Sequence, residues 1–314
     1  MTKKERVLAV LRGETPDRIP AGFWLHFPES AFHGDEAVKA HLDFFEKTGT
    51  DIQKIMNEYV VPCDIPIKKA ADWKNLKPFT RQSPFITGHV EMIKRILDKT
   101  GGEGLTLATI HGIVASAWHA RGGTAGYETG SQLLADHLRE DPEAVSYGWN
   151  IISDALAILV EEVLKAGVDG IYYAALGGEK YLFTEEEFEK YIKPHDLKIM
   201  NAASSSHCNI LHICKDRINL ERYKDYPGAA INWAINEQNP SLTEGAKLFP
   251  EKVILGGLDD RAGVIVDGSD DEIKAAVKAV METMKGHRFI LGADCTLPTE
   301  IDYHRIRTAV EAVK

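Results

Sequence analysis

Apolar residues along the chain fall into short continuous runs, separated by longer stretches in which they recur every three or four positions. The short runs, such as Leu105-Thr-Leu-Ala-Thr-Ile110 and Asn209-Ile-Leu-His-Ile-Cys214, have the length and branched content of buried strands. This pattern predicts strands over residues 19–26, 51–56, 105–110, 169–174, 209–214, 229–234, 253–259 and 289–294. Helices are expected over 3–12, 36–47, 142–165, 270–284 and 300–313, with 60–84 irregular and 112–130 a glycine-rich stretch. The clearest helix opens with Asp141 as N-cap and Pro142 in its first turn, and stops at Gly167. Thr184-Glu-Glu-Glu187 opens another with a capping box. Eight buried strands alternating with helices imply parallel pairing, and eight is the number that closes a ring. The expected architecture is α/β, a single (β/α)8 TIM barrel with an N-terminal helical extension, forming one domain over residues 1–314. An open doubly wound sheet is the competing arrangement, but it would place a glycine-rich turn after its first strand, where this chain has Phe27-Pro-Glu-Ser30.

With 44% hydrophobic residues among 314, the chain can fill one large core. Its net charge of −10 argues against a general nucleic-acid surface and against a pocket for a highly anionic ligand, leaving room for a local basic patch. No apolar run approaches the roughly 20 residues that span a bilayer. The start, Met1-Thr-Lys-Lys-Glu-Arg6, leads into an amphipathic stretch, so the expectation is a cytoplasmic protein without a membrane partner. Four cysteines, at 63, 208, 214 and 295, are too few and too scattered for a disulfide framework. Each is therefore either core filler or a ligand or nucleophile.

In such barrels the reacting groups stand at the C-terminal ends of several strands. The fifth predicted strand ends His212-Ile-Cys214, and the eighth runs into Asp294-Cys295. Side chains two apart on a strand share a face, so His212 and Cys214 point the same way, roughly 6–7 Å apart at Cα. One imidazole and two thiolates match zinc, and three protein ligands leave a fourth position open, as a catalytic site requires. The plainer reading keeps the cysteines as small core hydrophobes and the His-X-Cys as coincidence.

Ile210-Leu-His-Ile-Cys214, followed by Gly292-Ala-Asp-Cys295-Thr-Leu-Pro298, resembles the zinc signature of the methylcobamide:thiol methyltransferases. These form a coenzyme M methyltransferase-like branch of the uroporphyrinogen decarboxylase superfamily. Lys4-Glu-Arg-Val7, Leu11-Arg-Gly-Glu-Thr-Pro-Asp-Arg-Ile-Pro20 and Gly256-Gly-Leu-Asp259 extend the likeness along the chain. It implies a zinc-dependent enzyme moving a methyl group from methylcobalamin, or a methylated corrinoid protein, to a small acceptor such as coenzyme M, another thiol or a tetrahydrofolate. In related zinc thiol methyltransferases a carboxylate near strand six is a displaceable ligand, which points to Glu237. Asp294 would orient a ligand or sit at a turn. The alternatives are a carboxy-lyase of the decarboxylase type and a non-enzymatic corrinoid- or zinc-holding component. Two positions depart from the pattern. Lys215 stands where the branch has Gly, and Trp24-Leu-His-Phe-Pro28 replaces the carboxylate-clamping arginines of the decarboxylases. Of the remaining rim residues, His26 and His111 are expected to contact substrate or to be hydrogen-bonded rim histidines. His119 and Arg121 are expected to be exposed, and Asp259 to cap a turn or bind substrate. Cys208 and Cys63 are expected to pack in the core. Oligomeric state is not legible here.

Overall fold

Eight parallel strands succeed one another around a ring in the computed structural model, which describes residues 1–123 and 126–313. They are β1 (Ala21–Gly22), β2 (Ile52–Ile55), β3 (Leu105–His111), β4 (Gly170–Ala175), β5 (Ile210–Ile213), β6 (Ala230–Trp233), β7 (Val253–Leu258) and β8 (Phe289–Ala293). Each pairs with its sequence neighbour from β2 to β8, and β8 returns to β1 with Ala21 opposite Leu291. At the seam between β1 and β2 the backbone N–H of Asp51 donates to Ala21 O at 2.8 Å. The Asp51 carboxylate accepts from Ala21 N and from Arg6 and Arg18, so two guanidiniums and a main-chain donor neutralise a fully buried charge there. The ring is a (β/α)8 barrel.

The strands are buried along almost their whole length because side chains alternate between the barrel interior and the surrounding helices. Helices Gly34–Thr48, Pro84–Thr100 and Pro142–Ala166 each bury one apolar face against that ring. The last of these is capped as read from the sequence: Asp141 accepts from Ala144 N at 2.9 Å, and Gly167 stops it at φ 109°. No helix among the described residues is long and apolar enough to cross a membrane.

Three segments differ from the expectation. The first strand pairs over two residues instead of eight; beyond Gly22 the chain leaves the ladder and meets β8's continuation at an isolated bridge, Leu25 opposite Leu297, and where Thr299 Oγ1 donates to His26 O at 2.9 Å. The glycine-rich stretch carries a buried helix, Ile113–Ala120, and the start of another, Tyr127–Glu140. Its apolar Ile113-Val-Ala-Ser-Ala117 outweighs the flanking glycines, and Thr124 and Ala125 lie outside the described residues. Gly112 is needed where that helix begins, because a Cβ there would stand 2.9 Å from Ala174 O. The capping box at Thr184 forms, but one α-turn later the helix widens into a π-turn over Phe188–Ile192 before resuming at Lys193.

Candidate metal centre

β5 ends by carrying His212 and Cys214 to one rim of the barrel, and the chain leaving β8 brings Cys295 to the same place. The two sulfurs are 3.8 Å apart, and Cys295 Sγ lies 3.4 Å from His212 Nε2. All three donor atoms fall within 4.8 Å of one another. With Zn–S near 2.3 Å and Zn–N near 2.0–2.1 Å, a tetrahedral ion has S–S and S–N edges of roughly 3.8 and 3.5 Å. The two edges at Cys295 therefore stand at the spacing that a zinc ion demands. The two thiols also interact with each other. A hydrogen bond from Cys214 holds the Cys295 thiol well below the ordinary thiol range, and the same contact pushes Cys214 well above it. One thiolate forms readily; a second needs a cation.

The orientation of His212 is dictated by Asn232, its in-register neighbour on β6. Asn232 Nδ2 donates to Leu255 O at 2.9 Å and to Ala293 O at 3.1 Å, which fixes the amide with its oxygen towards His212. That oxygen accepts from Tyr172 Oη at 3.0 Å and faces His212 Nδ1 at 2.6 Å. Nδ1 must therefore carry the ring proton, leaving the Nε2 lone pair free beside Cys295. The Tyr172 ring stacks on the imidazole at 5.4 Å and 23°. Asn232 escaped the sequence reading. Its signal was present as a single amide inside the otherwise apolar run Ala229-Ala-Ile-Asn-Trp-Ala234, one strand along from His212.

A cavity of about 340 Å³ opens over the three donors. His26 and His111 both line it. His26 Nδ1 pairs with Glu58 at 2.7 Å, while burial drives the His111 ring well below its ordinary pKa. His119 is not an exposed loop residue: its helix turns it against His111, with ring centres 5.2 Å apart, and burial lowers it to about 4. Arg121 is likewise half-buried, donating to Ile67 O at 3.3 Å. Asp294 holds the loop beyond β6 by accepting from the main-chain and side-chain nitrogens of Asn236, at 3.0 and 2.9 Å. Burial pushes its carboxyl up to about 6, and its other oxygen has no hydrogen-bond partner among the described residues. Glu237 stands outside the cluster, its carboxylate 2.9 Å from Arg261 Nε. Asp259 caps its own turn through the N–H groups of Arg261 and Ala262. Cys208 is buried as expected, but Cys63 is exposed instead of packed in the core.

Lys215, in the position where a glycine was expected, adopts φ 86°. The backbone is left-handed here and a lysine bears the strain, with Nζ 4.4 Å from the Tyr127 ring centre on the cavity wall.

Fold and site together define a parallel barrel with a preassembled His/Cys/Cys donor set at its C-terminal rim. The chain belongs to the uroporphyrinogen decarboxylase family, whose model matches residues 45–314; the family is one of enzymes. A search of curated protein sequences finds no match. Among solved structures, a methyltransferase from Methanosarcina mazei superposes with a TM-score of 0.76 at 17% identity, over 99% of this chain and 98% of that one. A B12-independent methionine synthase from Shewanella sp. W3-18-1 follows with a TM-score of 0.59 at 12% identity, over 94% and 96%. At these identities the likeness is one of fold.

Proposed function

We propose that this chain is a zinc-dependent methyltransferase that moves a methyl group from a methylated corrinoid, free or carried by a corrinoid protein, to a small thiol or related acceptor. The observation that carries the reading is the pair of separations, 3.8 Å between sulfurs and 3.4 Å from sulfur to imidazole nitrogen. His212, Cys214 and Cys295 would hold the ion, and the ion, when bound, supplies the Lewis acidity that makes an acceptor thiol a thiolate at neutral pH. Asn232 keeps His212 in the ligating tautomer, and the Cys214–Cys295 contact stores the first negative charge of the donor set. A cavity of about 340 Å³ lies at the small end of ligand pockets, which suits a small acceptor inside and a bulky corrinoid meeting it at the mouth.

Carboxylate clamping of the decarboxylase kind finds little support. Arg6 and Arg18 both spend their guanidiniums on Asp51, and Arg261, the arginine among the cavity-lining residues, pairs with Glu237. Metal analysis by mass spectrometry tests the proposal, with about one zinc per chain expected. His212→Ala and Cys295→Ser should lose it, and methylcobalamin absorbance should change only when zinc and an acceptor thiol are both present. A wild-type protein of full stability without bound metal would end the reading.

A further inference from the structure

Lys54, on β2, is only 4% exposed, yet its side chain lines the cavity over the donor cluster. Its Nζ lies 4.5 Å from the ring centre of Tyr172 and 5.5 Å from that of Trp24, and touches the Met56 sulfur. Among the described residues it makes no ion pair: Asp51 is committed to Arg6 and Arg18, and Glu58 to His26. The surrounding histidines add no charge, since burial holds His41 at about 4, His89 at about 3 and His111 well below its ordinary range. A buried ammonium held by ring faces and a thioether lacks the oxygen acceptors that offset desolvation. The charged form is therefore the disfavoured one, and burial pushes Lys54 down to about 7 against the pull of Cys295 and Glu58. Methyl transfer as proposed makes no use of this amine.

A desolvated lysine with its lone pair free at neutral pH is a nucleophile towards carbonyl carbon. We infer that Lys54 is an imine-forming site that takes a small uncharged aldehyde or ketone from the cavity. Nζ adds to the carbonyl carbon and one amine proton moves to the oxygen. The carbinolamine then loses that oxygen as water, together with the second amine proton, and a C=N bond remains. No oxidant or reductant enters. The neutral His111 imidazole lines the same cavity and can carry a proton during the loss of water. Trp24, Met56, Ala115, Ala174 and Leu176 give the cavity apolar walls, which suit an uncharged molecule. The inference needs the amine and the cavity, and neither the metal nor the methyl-transfer reading enters it.

Reductive trapping tests it. Zinc-loaded and metal-free protein are each treated at pH 7 with acetaldehyde and sodium cyanoborohydride, and the ethylation of every lysine is followed by peptide mass spectrometry. About half of the Lys54 side chains are neutral at that pH, against fewer than about one in a thousand for a free lysine. Even with restricted access, Lys54 should react at least about tenfold faster than an exposed lysine such as Lys285, in both forms of the protein. In urea the advantage should vanish. Lys54→Met should keep the zinc content of the wild type and lose the fast phase of labelling. Ethylation of Lys54 no faster than that of Lys285 in the folded protein overturns the inference, as does an advantage that survives unfolding.

Discussion

Replacing Asn232 with alanine tests the logic of the centre at a residue that touches no metal and is fully buried. The amide makes four contacts: to His212 Nδ1 at 2.6 Å, Tyr172 Oη at 3.0 Å, Leu255 O at 2.9 Å and Ala293 O at 3.1 Å. Losing the acceptor beside Nδ1 frees His212 to place its proton on either nitrogen, and changes of this kind weaken metal binding by about 10- to 100-fold, or about 1.4–2.8 kcal/mol. The same substitution strands a tyrosine hydroxyl and two carbonyls in the core, so stability of the metal-free protein should fall by about 3–5 kcal/mol. Asn232→Asp dissects the two effects. It keeps an acceptor for His212, with added negative charge, but turns an oxygen towards the carbonyls of Leu255 and Ala293. Zinc affinity measured against a chromogenic chelator should then rank wild type and Asn232→Asp together, above Asn232→Ala. Urea unfolding should rank both variants below wild type. Zinc affinity in Asn232→Ala within about twofold of wild type, or an equal loss in both variants, refutes the tautomer argument.

Three further expectations follow from the same structure. Lys215→Gly should be more stable to urea than Lys215→Ala by about 1 kcal/mol, since both lose the contact with Tyr127 and only glycine relieves a φ of 86°. His41 donates from Nδ1 to Ala37 O and accepts from Met56 N at Nε2, and burial lowers its pKa from 6.5 to about 4. Its folded pKa lies below the unfolded one, so its contribution to stability is complete above pH ~6.5 and fades as pH falls towards ~4, by about 3 kcal/mol in all; an NMR signal from this ring titrating near 6.5 in the native protein would contradict it. Gly245→Ala sets a Cβ 2.1 Å from the Trp233 ring, whose Nε1 is tied to Pro240 O, and should cost about 1–3 kcal/mol, read as a lowered melting temperature.

The barrel was readable because its evidence is repetitive: eight separate runs each had to be a buried strand, and an error of a residue or two at the ends of β2 or β5 leaves the ring unchanged. Weak local pairing hid the true length of the first strand, since the segment after Gly22 is held by packing and by an isolated bridge between Leu25 and Leu297 instead of a ladder. Glycines at 112, 122, 123 and 126 made residues 112–130 look like a loop, although the apolar segment between them folds as a helix against the core. The three metal-type side chains were legible because residue type and strand-end position both singled them out. Glu237 was drawn in by resemblance alone, and its nearest charge is Arg261, a neighbour brought up by the chain after β7 that the sequence does not put beside it. Lys215 stands where the resembling branch has glycine, and its φ of 86° lies in the left-handed region that glycine adopts freely, so the lysine is strained there.

What the sequence hid most completely is the polar filling of the barrel. Interiors of this fold are ordinarily layered with branched aliphatics drawn from alternate strands. Here β2, β4 and β6 contribute Lys54, Tyr172 and Asn232, linked in order by a cation over a ring and a hydroxyl on an amide, and the series ends at His212. Such a layer is costly unless its members satisfy one another, and Asn232 and the Tyr172 hydroxyl do so within the protein. Among the described residues Lys54 has no hydrogen-bond acceptor beyond a thioether. Parity along a strand tells which residues face inward, but not which inward residues of different strands share a level, because that depends on the stagger of the closed ring. Three isolated polar residues in apolar runs therefore read as exceptions one at a time. Only the closed ring turns them into one support that orients the imidazole at one end and sets a buried lysine over a tyrosine ring at the other.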